Sequence, residues 1–380
     1  RHRPDNLIWV MPAEEVMIRF TTTVAVSLLA VLATSCGSDT DVAAATGCFE
    51  DPGLSAVQAS NDDLSGTSIT LITHDSFFVS EGLLDSFTET TGIEVTQVAA
   101  GDAGQLVTSA VLTAGNPAAD VMFGVDNTFM CRALEADVFL PYESTVGPIV
   151  DGLTVDPLSR LTPIDYGDVC VNYWKDELPG DVPTSLADLA DPANTGQFVT
   201  ENPETSSPGF AFLLATIAEY GEDGWEQYWA DLVDNDVEVT AGWNDAYYAS
   251  FTAGGGPRSI VTSYASSPPA EFLFADPPVD APPTDVLTAS CYRQVEYAGI
   301  LNGTEHPAAA AQLIDFMLSP TFQNDIPLNM FVYPVNADAE LPQAFVDFTA
   351  TVDAPLSIDP ETIEANRDDW TRRWNDVVFG

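Results

Sequence analysis

Side-chain catalysis has few footholds in this sequence. Only three histidines occur, at positions 2, 74 and 306, so Ser-His-Asp chemistry would rest on His74 or His306. Neither stands near a nucleophile elbow of the GxSxG kind. There is no GxGxxG or phosphate-loop spacing, and no CxxC or HxxxH pair that would hold zinc. Carboxylate pairs carry no information in a chain with 58 Asp and Glu. No catalytic residue is assigned, and a binding protein is expected. Two local patterns retain chemical content. Tyr247-Tyr248 sets two phenols side by side, hard donors that suit a ferric ion when carboxylates join them; on a helix the same pair is one inward and one outward aromatic. Thr205-Ser206-Ser207-Pro208-Gly209 precedes a long apolar run and reads as a helix cap, with room for an anion at the helix N-terminus.

The elements that must carry such residues have enough apolar content to fold. At 380 residues and 46% hydrophobic, the chain builds one large or two medium domains with cores. A formal charge of −47 repels nucleic acid and anionic lipid headgroups and attracts cations. From Met17 a short positive region and a charge-free apolar stretch run to Ser35-Cys36-Gly37. That stretch is too brief to span a membrane and reads as a lipoprotein signal, with Cys36 lipidated as first mature residue. Residues 1–35 are set aside as upstream residues and signal. Residues 36–66, rich in Ser, Asp, Ala and Gly, read as a flexible tether. Cys48, Cys131, Cys170 and Cys291 remain, an even number that suggests two disulfides in an exported chain.

Folded sequence begins near Ser68. Residues 68–73 alternate as a strand, 80–91 as a helix ended by Gly92, and 93–98 as the next strand. The rhythm continues with a helix over 104–114, a strand over 120–124, the loop Asp126-Asn127, which is a helix cap or a binding loop, and a helix over 128–136. Further elements are a strand over 169–173, helices over 209–220 and 223–235, a strand ending near Thr240, and a proline-rich loop over 274–283. Alternating strands and helices give an α/β sheet whose ligand loops lie beyond the strand ends.

Several segments together resemble the thiamine-binding proteins of bacterial ABC importers. They are Thr73-His74-Asp75-Ser76-Phe77, Ala119 through Asn127, Pro163-Ile164-Asp165-Tyr166-Gly167, Asn202 through Gly209, and Ala241-Gly242-Trp243-Asn244-Asp245-Ala246-Tyr247. Ser263-Tyr264-Ala265-Ser266-Ser267-Pro268, Ser319 through Pro327 and Tyr333-Pro334-Val335 continue the match in order over about residues 68 to 376. His74 stands where that family usually has Tyr, and Phe331 where it often has Trp. The resemblance implies a two-lobed periplasmic-binding-protein fold with a ligand cleft between lobes. Residues 67–167 and 266–380 form the first lobe and 168–265 the second.

The implied ligand, thiamine or its phosphates, combines a flat aminopyrimidine, a cationic thiazolium and a hydroxyethyl tail. It calls for aromatic faces, carboxylates and hydrogen-bond donors. The resemblance assigns these roles to Asp75, Ser76, Asp126, Asn127, Asp165, Tyr166, Ser206, Ser207, Trp243, Asn244, Tyr247, Tyr264, Ser266, Phe331 and Tyr333. It implies no cofactor, a permease partner, a membrane reached through the lipid anchor, and a monomer. Cys131 with Cys170 and Cys48 with Cys291 are the expected disulfides, because Cys131 follows the Asp126-Asn127 loop and Cys170 lies in the neighbouring crossover strand. The competing readings are a ferric carrier using Tyr247 and Tyr248, and an extracellular scaffold lipoprotein.

Overall fold

The computed structural model describes residues 47–60 and 63–380. The signal and Cys36 lie outside the described residues. Among the described residues ten strands form one sheet: β1 Ser68–Thr73, β2 Glu94–Ala99, β3 Val121–Asp126, β4 Phe139–Leu140, β5 Thr162–Trp174, β6 Phe198–Glu201, β7 Glu238–Thr240, β8 Ile260–Tyr264, β9 Thr284–Leu301 and β10 Tyr333–Pro334. The order is β2-β1-β3-β9-β5-β8-β6-β7, with β4 on β9 and β10 on β5. Parallel strands β2, β1 and β3 make one half of the sheet and parallel β6 and β7, with β8, the other. The long antiparallel pair β5 and β9 joins them and runs through both. The fold is therefore α/β and two-lobed, with each half presenting strand ends toward the join.

Helices cover the sheet where apolar spacing demands it. In α1, Leu83–Thr91, Leu83 and Phe87 are buried at i and i+4, and Gly92 ends the helix with φ 73. Next is α2, Ala103–Leu112, capped by the Asp102 side chain, which accepts from Ala103 N at 2.6 Å. A short helix α3, Met130–Glu135, follows β3. Most of α4, Ser207–Tyr220, is buried, because its apolar residues go all round rather than along one stripe. In α5, Trp225–Asp234, Trp225, Tyr228, Trp229 and Leu232 form the buried face. The C-terminal helix Pro360–Val378, unanticipated from sequence, packs Trp374 edge-on to Trp229 at 5.4 Å. Its Arg367 lies over both the Phe129 and Phe210 rings, with centroids 4.1 and 4.0 Å away.

Among the described residues two disulfides form, but not with the expected partners. They join Cys48 to Cys131 and Cys170 to Cys291. β5 and β9 shift register between Val169 and Val171, where Tyr292 and Leu287 are the flanking partners, and this brings Cys291 beside Cys170. Cys131 sits on α3, against the N-terminal segment. There Arg160, buried and paired with Asp156, donates to the Cys48 carbonyl at 3.0 Å. Val57 N also donates to the Pro141 carbonyl at 2.8 Å. Part of the stretch read as tether is thus held to the folded body from Gly47 onward.

Candidate functional site

A cavity of about 270 Å³ opens where the two halves of the sheet meet. That is near the lower end of small-ligand pockets, roughly 300–1,000 Å³. One wall is aromatic. Trp243 opens a helical segment after β7, and Tyr247, one turn on, stacks on it with centroids 4.9 Å apart and planes at 20°. Trp243 Nε1 donates to Ser263 Oγ at 3.0 Å, fixing the indole, and Tyr264 stands edge-on at 6.5 Å. Tyr247 is buried while Tyr248 is 59% exposed. The adjacent phenols therefore face different surroundings, as one inward and one outward aromatic should.

The lining also has acidic members. Asp102 leaves the β2 end, caps α2 and accepts Trp243 N at 3.1 Å. Burial raises its carboxyl pKa above the ordinary value, against the pull of those N–H donors. His74 follows β1, and its ring presses on Gly124, where a Cβ would stand 2.3 Å from His74 Cδ2. Gly124 adopts φ +107, so only glycine suits the position. Ser76 N donates to His74 Nδ1 at 3.1 Å, which places the neutral ring's proton on Nε2, 3.3 Å from Glu296 Oε1. Burial works against the imidazolium, but the Glu296 carboxylate outweighs it and holds His74 above its ordinary value. Glu296 is kept below its usual range because His74 and the Asp165 hydroxyl offset its burial. Asp165 is pushed well above its own, first by burial and then by the Glu296 charge, so the proton of this pair resides on Asp165.

Of the residues the sequence suggested, Ser76, Ser207, Trp243, Tyr247, Tyr264 and Phe331 line the cavity. The others stand behind or beside it. Asp126 is buried and accepts from Thr128 N, Phe129 N and the Ser207 hydroxyl, to which Gln294 Nε2 also donates at 3.1 Å. Asn127 bonds both ways to β9, at Arg293 O and Val295 N. Ser206 is the buried N-cap residue of α4. Tyr166 and Tyr333 stack on each other at 5.4 Å, away from the lining. Ser266 donates to the Phe331 carbonyl at 2.6 Å, holding Phe331 at φ 56. Asp75 and Asn244 meet at the rim, Asn244 Nδ2 to Asp75 Oδ1 being 3.2 Å.

The lining residues that sequence reasoning missed include Asp102, Glu271, Gln294 and Glu296, and His74, noted there as a departure from the family's Tyr, lines the cavity too. Glu296 had a usable signal: a charge inside the otherwise uncharged, mostly apolar run from Val295 to Leu301 has to find a partner. None of the lining residues is Lys or Arg. The site can hold a flat cation by stacking and charge, with hydrogen-bond acceptors set around it.

Similar proteins share this frame. Residues 116–348 match the family model of the bacterial extracellular solute-binding proteins. The chain is 30% identical over 317 residues to a thiamine-binding periplasmic protein of Escherichia coli K12, covering 82% of this chain and 93% of that one. A thiamine-binding periplasmic protein of Brucella suis is 29% identical over 319 residues, 81% of this chain and 91% of its own length. Among solved structures, a periplasmic thiamin binding protein superposes with a TM-score of 0.73 at 27% identity, covering 85% of this chain and 99% of that one. A ferric binding protein from Campylobacter jejuni gives 0.67 at 17% identity, covering 81% and 99%, which is likeness of fold alone.

Proposed function

The chain belongs to the bacterial extracellular solute-binding proteins, and from that premise we propose that it captures thiamine and delivers it to an ABC importer. It is a binding protein and not an enzyme, and it works outside the cytoplasm, as its periplasmic relatives do. The observation that carries the ligand assignment is the pairing of the Trp243–Tyr247 wall with Asp102 and Glu296 in one cavity. Such a wall stacks a thiazolium or aminopyrimidine, and the carboxylates face the cation and accept from the amino group. Thiamine is the cargo in this reading, not a cofactor.

Delivery depends on closure. In our reading residues 67–167 with 266–380 form one lobe, residues 168–265 the other, and the ligand is gripped between them. Support comes from the contacts spanning the join: Asp102 with Trp243, Asp75 with Asn244, and Gly104 N with the Thr205 carbonyl at 3.0 Å. The permease then reads the closed state. The protein acts as a monomer, tethered through a lipid on Cys36, which lies outside the described residues. The ferric reading has less behind it, since the Tyr247 hydroxyl is committed to Glu271 and burial pushes that phenol pKa further up. Native mass spectrometry of the protein as isolated from its own cells tests the assignment. A bound mass equal to thiamine or an ester of it is expected, and a ferric adduct contradicts it.

A further inference from the structure

The C-terminal helix Pro360–Val378 is counted with the first lobe by its place in the chain, yet its C-terminal half is fixed to α5 and the turn before it. Trp370 Nε1 donates to Glu222 Oε1 at 2.7 Å, Arg373 Nη1 donates to Glu222 Oε2 at 3.2 Å, and Arg373 Nε pairs with Glu226. Trp374 packs edge-on to Trp229 of α5. Away from the cavity lining, this helix spans the two halves of the molecule.

Arg367, nearer the start of the helix, stands at the crossing. It donates to the Thr128 carbonyl, between β3 and α3, and lies over the rings of Phe129 beside it and Phe210 in α4. Those rings touch each other, with centroids 5.5 Å apart, and all three side chains are buried. The contact leads on to the cavity. Asp126 accepts from the Thr128 N–H and hydroxyl and from the Ser207 hydroxyl at the start of α4. Ser207 lines the cavity, as does Gln294, which donates to it at 3.1 Å.

In the two-lobe reading Asp126, Thr128 and Phe129 belong to the first lobe, whereas Ser207, Phe210 and α5 belong to the second. A guanidinium buried this deeply carries a desolvation cost that only its partners offset. If the second lobe swings away with the helix it holds, the Thr128 carbonyl and the Phe129 ring lose their cation. The arrangement therefore favours the closed state. Resting on the thiamine reading, we infer that Arg367 is a latch that holds the lobes closed from outside the cavity and so sets how slowly thiamine leaves. It touches no ligand and acts as a positioning residue.

Stopped-flow tryptophan fluorescence with thiamine tests this, by reading association and release separately. Arg367→Met keeps the length and apolar packing of the side chain while removing its charge and donors. Release should quicken about tenfold or more, with association within about threefold of wild type. Glu222→Gln combined with Arg373→Gln, at more exposed positions, loosens the helix from α5 and should quicken release about threefold. A residue that only braces the fold would lower the denaturation midpoint and leave release unchanged. Release from folded Arg367→Met within about twofold of wild type overturns the inference; should that variant not fold, the same result in the double variant overturns it. Folded wild type that binds no thiamine overturns the thiamine reading instead. The latch is then judged by X-ray scattering of the ligand-free proteins, in which the variant should have the larger radius of gyration and equal radii overturn it.

Discussion

The Trp243 backbone N–H donates to the Asp102 carboxylate at 3.1 Å, joining the loop after β2 to the start of the aromatic segment after β7. Because this link uses the backbone, it survives loss of the indole. Trp243→Ala therefore isolates the ring, removing stacked area and cation–π attraction together, about 2–4 kcal/mol of binding. Calorimetry should show thiamine bound roughly thirty- to a thousand-fold more weakly, with circular dichroism unchanged. Equal affinities would make Trp243 a lid on the core.

Thiamine affinity should fall on acidification. Burial raises the Asp102 carboxyl, so as pH drops through that raised value the wall loses a negative charge facing the cation. A second proton on His74 acts in the same direction. Asp102→Asn should lower affinity by about 1–2 kcal/mol, or roughly 5- to 30-fold, at neutral pH and flatten the pH profile. A variant whose profile overlays that of wild type would exclude Asp102 as the source.

Glu201, at the end of β6, is wholly buried and neither carboxyl oxygen has a hydrogen-bond partner. Burial, and then the Asp102 charge, pushes its pKa well above the ordinary value. A carboxyl raised in this way adds stability in full below its unfolded pKa, and that contribution is lost as pH rises through the folded value. Glu201→Gln cannot ionise. Its melting temperature relative to wild type should climb as pH is raised, the difference amounting to about 1–3 kcal/mol. A gap independent of pH would mean that Glu201 stays charged and solvated.

Unreduced peptide mapping should recover Cys48 linked to Cys131 and Cys170 linked to Cys291. Reducing each bridge should cost about 2–4 kcal/mol of stability, read as a lowered denaturation midpoint. Recovery of a Cys131–Cys170 peptide would contradict the β5–β9 register.

What could be read in the sequence depended on how local the determining contacts were. The alternation of residues 68–73 gave β1 its bounds, and the apolar run after Pro208 led to α4. Trp243, Tyr247 and Tyr264 emerged as cavity residues because they stand in the segments that carry the family resemblance. Asp102 and Glu271 did not, since one carboxylate among 58 acidic residues carries no mark of its own. Only the sheet brings Glu296 on β9 to His74 after β1, through strands far apart in sequence. The disulfide partners failed for the same reason: Cys291 meets Cys170 through a register shift that no local pattern encodes.

The central claim is that the cavity between the two halves of the sheet is a thiamine site. Titrating the purified, ligand-free protein with thiamine by isothermal calorimetry tests it most directly. The account predicts saturable binding of one thiamine per chain with Kd below about 1 μM, equivalent to roughly −8 kcal/mol. Folded protein that shows no saturable binding at millimolar thiamine would contradict it.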